Sequence, residues 1–90
     1  MKLIVSKNFY KDLQRISDIK LLDEVENFMI QVGFVRNLFD LKEYKIKKMK
    51  WYTHFYRVRF WDYRLWLEVS SDTVILRRIL LRKDIYKYFP

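Results

Sequence analysis

The residues best placed to do chemistry lie in one short stretch, Tyr56-Arg57-Val58-Arg59-Phe60-Trp61-Asp62-Tyr63-Arg64-Leu65-Trp66-Leu67. It reads as two strands joined by a two-residue turn at Trp61-Asp62, because apolar residues alternate with large, mostly charged ones on either side. That register sets Phe60 against Tyr63, Val58 against Leu65 and Tyr56 against Leu67, a wholly apolar face. The other face then carries Arg59 opposite Arg64, and Arg57 opposite Trp66. Like charges directly across a hairpin are destabilising, so a fold gains nothing by placing two arginines there. A bound polyanion supplies the missing reason. The pattern points to phosphate binding or phosphate chemistry.

The formal net charge of +8 is unevenly placed. Residues 1–41 carry six Lys/Arg and six Asp/Glu, whereas residues 42–90 carry thirteen and five, so the whole excess sits in the second half. A basic half beside a neutral half is the electrostatic footprint of nucleic-acid binding. Lys45, Lys47, Lys48 and Lys50 alone would make a solvated strand face; beside the arginines they are expected to steer RNA. Trp66, opposite Arg57, is expected to stack on a base, while Trp51 and Tyr52 are expected at the core edge. His54 is the only histidine, the residue type suited to proton transfer near neutral pH, but its place in a connector among aromatics favours a surface or packing role. Arg77 and Arg78 fall on opposite faces of one strand, so at most one can join a site.

The rest of the chain must position that hairpin. Ninety residues make one domain, spanning residues 1–90, long enough for a genuine core. Lys2–Ser6 reads as a strand, with Ser6 an N-cap for the helix after it. Phe9, Leu13 and Ile16 define one helical face, and Ile19, Leu22, Val25, Met29 and Val32 continue the spacing after a break near Ser17-Asp18, with Gly33 as the stop. Val35, Leu38 and Phe39 suggest an apolar loop or short turn over 33–41. Strands are expected at 43–50, 55–60, 63–69 and 73–81, with a connector at 51–54, a turn at Ser71-Asp72 and one or two helical turns at 84–89. Helices first and strands later predict an α+β fold, a helical hairpin on one face of a mostly antiparallel sheet of four to five strands, closed by a short helix. The absence of cysteine removes disulfides, zinc–thiolate sites and thiol catalysis together, and fits a reducing cytoplasm. No secretory signal or membrane span is expected, since no apolar run is long enough.

The segment Tyr56–Arg64 resembles the YRIR-x-GDYR signature of the RelE/ParE toxin superfamily, and Leu81–Pro90 resembles its closing RKDIYK segment. With the Lys-rich strand over Tyr44–Lys50 and the leading helical hairpin, the resemblance covers nearly all of the chain. It implies a small toxin of a type II toxin–antitoxin pair. RelE-like members bind in the ribosomal A site and cut the mRNA there without metal or cofactor, the ribose 2′-OH attacking the adjacent phosphate. The partners so implied are a cognate antitoxin, the ribosome and mRNA, with operator DNA reached only through the antitoxin complex. Carried over by position, Arg59 and Arg64 would stabilise phosphorane charge, Arg82 would stand near the leaving group, Tyr86 would stack on or orient the nucleotide, and Arg57 would contact RNA.

Two departures matter. The Gly of the signature's turn is Trp61 here. Some members carry lysines where this chain has Arg57 and Arg59, and an arginine effectively cannot lose its proton. A general base must then come from elsewhere, from His54, Glu68 or a lysine such as Lys47 or Lys50, or from the ribosome. Two other functions share the fold: inhibition of DNA gyrase by protein binding, as in ParE-like members, and a catalytically silent binding module.

Overall fold

Two side-chain caps set the N-terminal helices of the computed structural model, which describes residues 1–88. Strand β1 (Lys2–Val5) leads to Ser6, whose Oγ accepts the Phe9 N–H and starts helix α1 (Lys7–Gln14). At the break read near Ser17-Asp18, Asp18 accepts the Lys20 and Leu21 N–H groups and starts α2 (Ile19–Val32). Gly33 ends α2 with an ordinary right-handed φ of −66°. A single 3₁₀ turn, Leu38–Asp40, follows, and then β2 (Ile46–Lys48), β3 (Phe55–Phe60), β4 (Tyr63–Ser70), β5 (Thr73–Leu81) and α3 (Arg82–Tyr88). The strand expected over 43–50 is thus only three residues long. Phe89 and Pro90, read as the end of the tail, lie outside the described residues.

The five strands form one sheet in the order β1-β5-β4-β3-β2, antiparallel except that β1 runs parallel to β5. The β3–β4 register is the one read from the sequence, with Phe60 opposite Tyr63, Val58 opposite Leu65 and Tyr56 opposite Leu67. Both hairpin turns place their first residue in the left-handed region, Trp61 at φ 53° and Ser71 at φ 56°. Neither is a glycine.

Helices α1 and α2 cover one face. Phe9, Leu21, Val25, Phe28 and Val32 meet Val58, Phe60, Leu65, Leu67, Val74, Leu76 and Ile79 in a single core. The buried stripe of α2 runs through Leu21, Val25, Phe28 and Val32 rather than Ile19, Leu22, Val25, Met29 and Val32, and Ile19 is 71% exposed. The Asp18 cap makes Ile19 the first helical residue, on the outer side. On the opposite face stands α3, which docks through the fully buried Ile85 and lays Tyr86 edge-on to Trp66, ring centroids 5.6 Å apart.

A bulge between Trp66 and Leu67 leaves Arg77 unopposed on β5. Beyond the end of β1 the edge of β5 is free, and α1 closes it. Asp12 accepts the Ile79 N–H at 3.1 Å and both Nε and Nη2 of Arg78, at 2.7 and 2.9 Å. Arg78 in turn lies 5.0 Å from the Tyr88 ring centroid. One buried carboxylate therefore links α1, β5 and α3.

Candidate functional site: a basic pocket

On the α3 side of the sheet, β2, β3 and β4 present their charged residues two apart. The register sets Lys47 opposite Arg57 and Arg59 opposite Arg64. The first residue of α3 adds Arg82, whose N–H donates to the Asp62 carbonyl at 2.7 Å and so pins the helix start to the β3–β4 turn. Lys45, Lys47, Arg57, Arg59, Arg64 and Arg82 together line a pocket of about 210 Å³ with no carboxylate in its wall.

Arg64 forms the floor. It is 9% exposed, and its Nη1 donates to the carbonyl oxygens of Trp61 at 2.8 Å and Tyr63 at 3.1 Å. Burial first, and then the charges of Arg59, Arg82 and Arg57, hold its pKa below the usual arginine value. The two hydrogen bonds correct the view that a fold has no reason to place Arg64 opposite Arg59: the guanidinium fastens the turn. Nε and Nη2 make no bond among the described residues, so part of its fork is left for a ligand.

Arg57 Nη1 donates to the Tyr86 hydroxyl at 2.8 Å, joining the pocket wall to α3. An acceptor hydroxyl keeps its own hydrogen to donate. Tyr86 is 57% exposed, so the side chain stays accessible at the pocket edge.

Several expected residues stand elsewhere. Trp66 is only 2% exposed beneath Tyr86, which leaves no ring face for a base; Tyr86 is the aromatic at this end that could stack. Lys48 pairs with Tyr56 and shares the face of Ile46, on the helix side of the sheet. Lys50 follows β2 and lies over the Trp51 ring at 5.1 Å. Trp51, expected at the core edge, is 81% exposed. Neither Arg77 nor Arg78 lines the pocket: Arg77 pairs with Glu68, and Arg78 with Asp12. That ion pair also occupies Glu68, and His54 lies in the turn before β3 with φ 72°. Of His54, Glu68, Lys47 and Lys50, Lys47 lines the pocket, and Lys45 is the second lysine in its wall.

Asp12 and the capping role of Arg64 were not read from the sequence. Asp12 had a signal, since it interrupts the apolar stripe Phe9, Leu13, Ile16 on its inner side.

No family model matches the chain. It is 43% identical, over the full length of both chains, to the toxin RelE3 of Methanocaldococcus jannaschii. Its fold is similar to a chain of the RelB–RelE antitoxin–toxin complex of Methanococcus jannaschii, with a TM-score of 0.84, 37% identity and 97% and 99% of the two chains covered. A chain of the DinJ–YafQ complex of Escherichia coli shares the fold at a TM-score of 0.62 and 13% identity, covering 94% of this chain and 97% of that one. Full-length identity at this level carries more than fold, and the chain belongs to the RelE family of toxins.

Proposed function

We propose that the chain is the toxin of a type II toxin–antitoxin pair and acts as a ribosome-dependent mRNA endonuclease. The observation that carries this reading is the pocket lined by six cations with Tyr86 bonded at its edge. Cleavage by the 2′-OH forms an O2′–P bond, breaks the P–O5′ bond and leaves a 2′,3′-cyclic phosphate and a 5′-OH. It needs a proton acceptor on the 2′-OH, charge stabilisation at the phosphorane and a proton for the 5′-oxygen. Lys47, in the pocket wall, takes the first role. Arg57, Arg59 and Arg64 hold the phosphorane oxygens, Arg82 flanks the leaving oxygen, and Tyr86 orients the nucleotide and donates from its hydroxyl. Convergent cations of this kind serve RNA cleavage, whereas gyrase binding does not require them.

The relative's complex with RelB supports an antitoxin partner. A segment rich in Asp/Glu and apolar residues would fold onto the chain and neutralise part of its charge. Among the described residues no helix is long and apolar enough to cross a membrane, and a cytoplasmic site of action goes with the ribosome as target. The test is to add purified protein to a translating extract and map mRNA 5′ ends by primer extension. New 5′ ends at ribosome-occupied codons are expected. Translation that continues on intact mRNA contradicts the reading, and blocked supercoiling by gyrase in its place would favour the other function.

A further inference from the structure

Six cations are more than one backbone phosphate needs. A phosphodiester carries a single negative charge, yet the pocket wall holds Lys45, Lys47, Arg57, Arg59, Arg64 and Arg82 and no carboxylate. The side chains are set out in two rows. Arg59 lies opposite Arg64, and its N–H donates to the Lys45 carbonyl at 3.3 Å, so Lys45, Arg59 and Arg64 form one row across the sheet. Arg82, close enough to lower the Arg64 pKa, stands beside that row. Lys47 and Arg57 form the second row, two residues along the strands and therefore about 7 Å away.

The first row is a built anion site. Arg64 is 9% exposed, and while its Nη1 is engaged by the turn, Nε and Nη2 make no bond among the described residues. Buried donors of this kind require an acceptor. A single phosphate seated over Arg64 supplies one, but leaves the second row without an anion. Lys47 makes no ion pair among the described residues, and Arg57 meets only the neutral hydroxyl of Tyr86. Space remains as well: the pocket of about 210 Å³ matches the liquid volume of roughly seven water molecules.

We infer that in the free chain this pocket binds a short linear polyphosphate, either inorganic triphosphate or the triphosphate group of a nucleotide, which spans both rows and keeps RNA out. That such an anion inhibits cleavage rests on the nuclease reading; that it binds does not. Linked phosphates bring several charges on one flexible chain, and each non-bridging oxygen accepts charge-assisted hydrogen bonds from Lys or Arg. They also relieve the repulsion that Arg59, Arg82 and Arg57 exert on Arg64. Cleavage then requires the ribosome not only to present the strand but to hold it firmly enough to displace the anion.

The test is calorimetric titration of the purified chain, at fixed ionic strength and without magnesium, with orthophosphate, inorganic triphosphate and ATP. Triphosphate should bind about a hundredfold tighter than orthophosphate, the gain of two further charge-assisted contacts at roughly tenfold each. Lys47→Ala, in the second row, should weaken triphosphate by about tenfold and leave orthophosphate unchanged. Lys7→Ala combined with Lys11→Ala removes two charges from α1, on the other face of the sheet, and should leave both affinities near wild type. ATP equal to or weaker than triphosphate assigns the site to the phosphate chain alone, and ATP tighter than triphosphate makes a nucleotide the source. Triphosphate no tighter than orthophosphate, a Lys47→Ala variant that discriminates as the wild type, an α1 variant weakened as much as Lys47→Ala, or cleavage unchanged at saturating triphosphate would overturn the inference. The two readings fail separately. A chain that binds triphosphate and leaves ribosome-bound mRNA intact loses the nuclease and keeps the site, whereas one that cleaves without preferring triphosphate loses only the site.

Discussion

Arg64 donates to the carbonyl oxygen of Trp61 at 2.8 Å, so the charge at the floor of the basic pocket is also the clasp of the β3–β4 turn. The same guanidinium bonds Tyr63 and sits among Arg59, Arg82 and Arg57, which lower its pKa after burial has done so. Structure and charge display are thus met by one side chain, and loss of either cannot be assigned from activity alone.

Arg64→Ala should destabilise the fold. Two hydrogen bonds from a charged donor to part-buried carbonyls are lost, each worth roughly 1.5–3 kcal/mol. Relief of the clash with Arg59 returns roughly 0.2–1 kcal/mol, and relief of guanidinium burial returns more. A net loss of about 1–3 kcal/mol is expected, read as a lower urea midpoint at unchanged m-value. Stability equal to the wild type would show that the turn does not need the clasp.

Asp12→Ala removes the partner of the partly buried Arg78 guanidinium and the acceptor of the Ile79 N–H. The Asp12 side chain is 3% exposed and that of Arg78 19%, so Arg78 loses its carboxylate and keeps the Tyr88 ring, at a cost of about 3 kcal/mol. The Asp12→Ala, Arg78→Ala double variant should lose less than the sum of its single changes. Strict additivity in chemical denaturation would contradict the coupling.

Lys47→Arg keeps the charge of the pocket and removes its ability to give up a proton. Single-turnover cleavage should fall by about a hundredfold or more, the usual contribution of a positioned base, while ribosome pelleting stays near wild type. Full activity in this variant would assign the base elsewhere.

Burial, and then the charge of Glu43, raise the Tyr44 hydroxyl above its ordinary 10.0, against the opposing hydrogen bond from Asn27. The folded state therefore favours the neutral phenol more than the unfolded chain does. The stability this confers is complete below the unfolded value and is lost as pH rises through the folded one. Tm should decline as pH climbs past 10.0, less steeply in Tyr44→Phe; identical slopes would contradict the assignment.

The hairpin was legible because its alternation has a period of two and its turn two residues, which together allow one register. The helical face of α2 was legible only as a period; the Asp18 cap set which residues point inward. Trp66 and Arg57 occupy opposed positions, as expected, but the docking of α3 depends on long-range packing of Ile85 and Tyr86 that no local pattern encodes. The same holds for Lys48 and Lys50. A lysine run reads as one basic surface, whereas β2 ends at Lys48 and its alternation sends Lys45 and Lys47 to the pocket and Lys48 to the other face. Arg64 was seen as a charge and missed as a donor, because the carbonyls it binds are backbone atoms, which residue types do not reveal.

The central claim is that the cations of this pocket act on a phosphate in reaction, and Arg59 tests it most directly. Its side chain is exposed and makes no hydrogen bond or ion pair among the described residues, and it faces Arg64 across the hairpin. Arg59→Ala should therefore leave Tm equal or slightly higher. Single-turnover cleavage of ribosome-bound mRNA should fall by about a hundredfold, the scale of one lost donor to a developing oxyanion. A variant that melts as the wild type and cleaves as the wild type would contradict the claim.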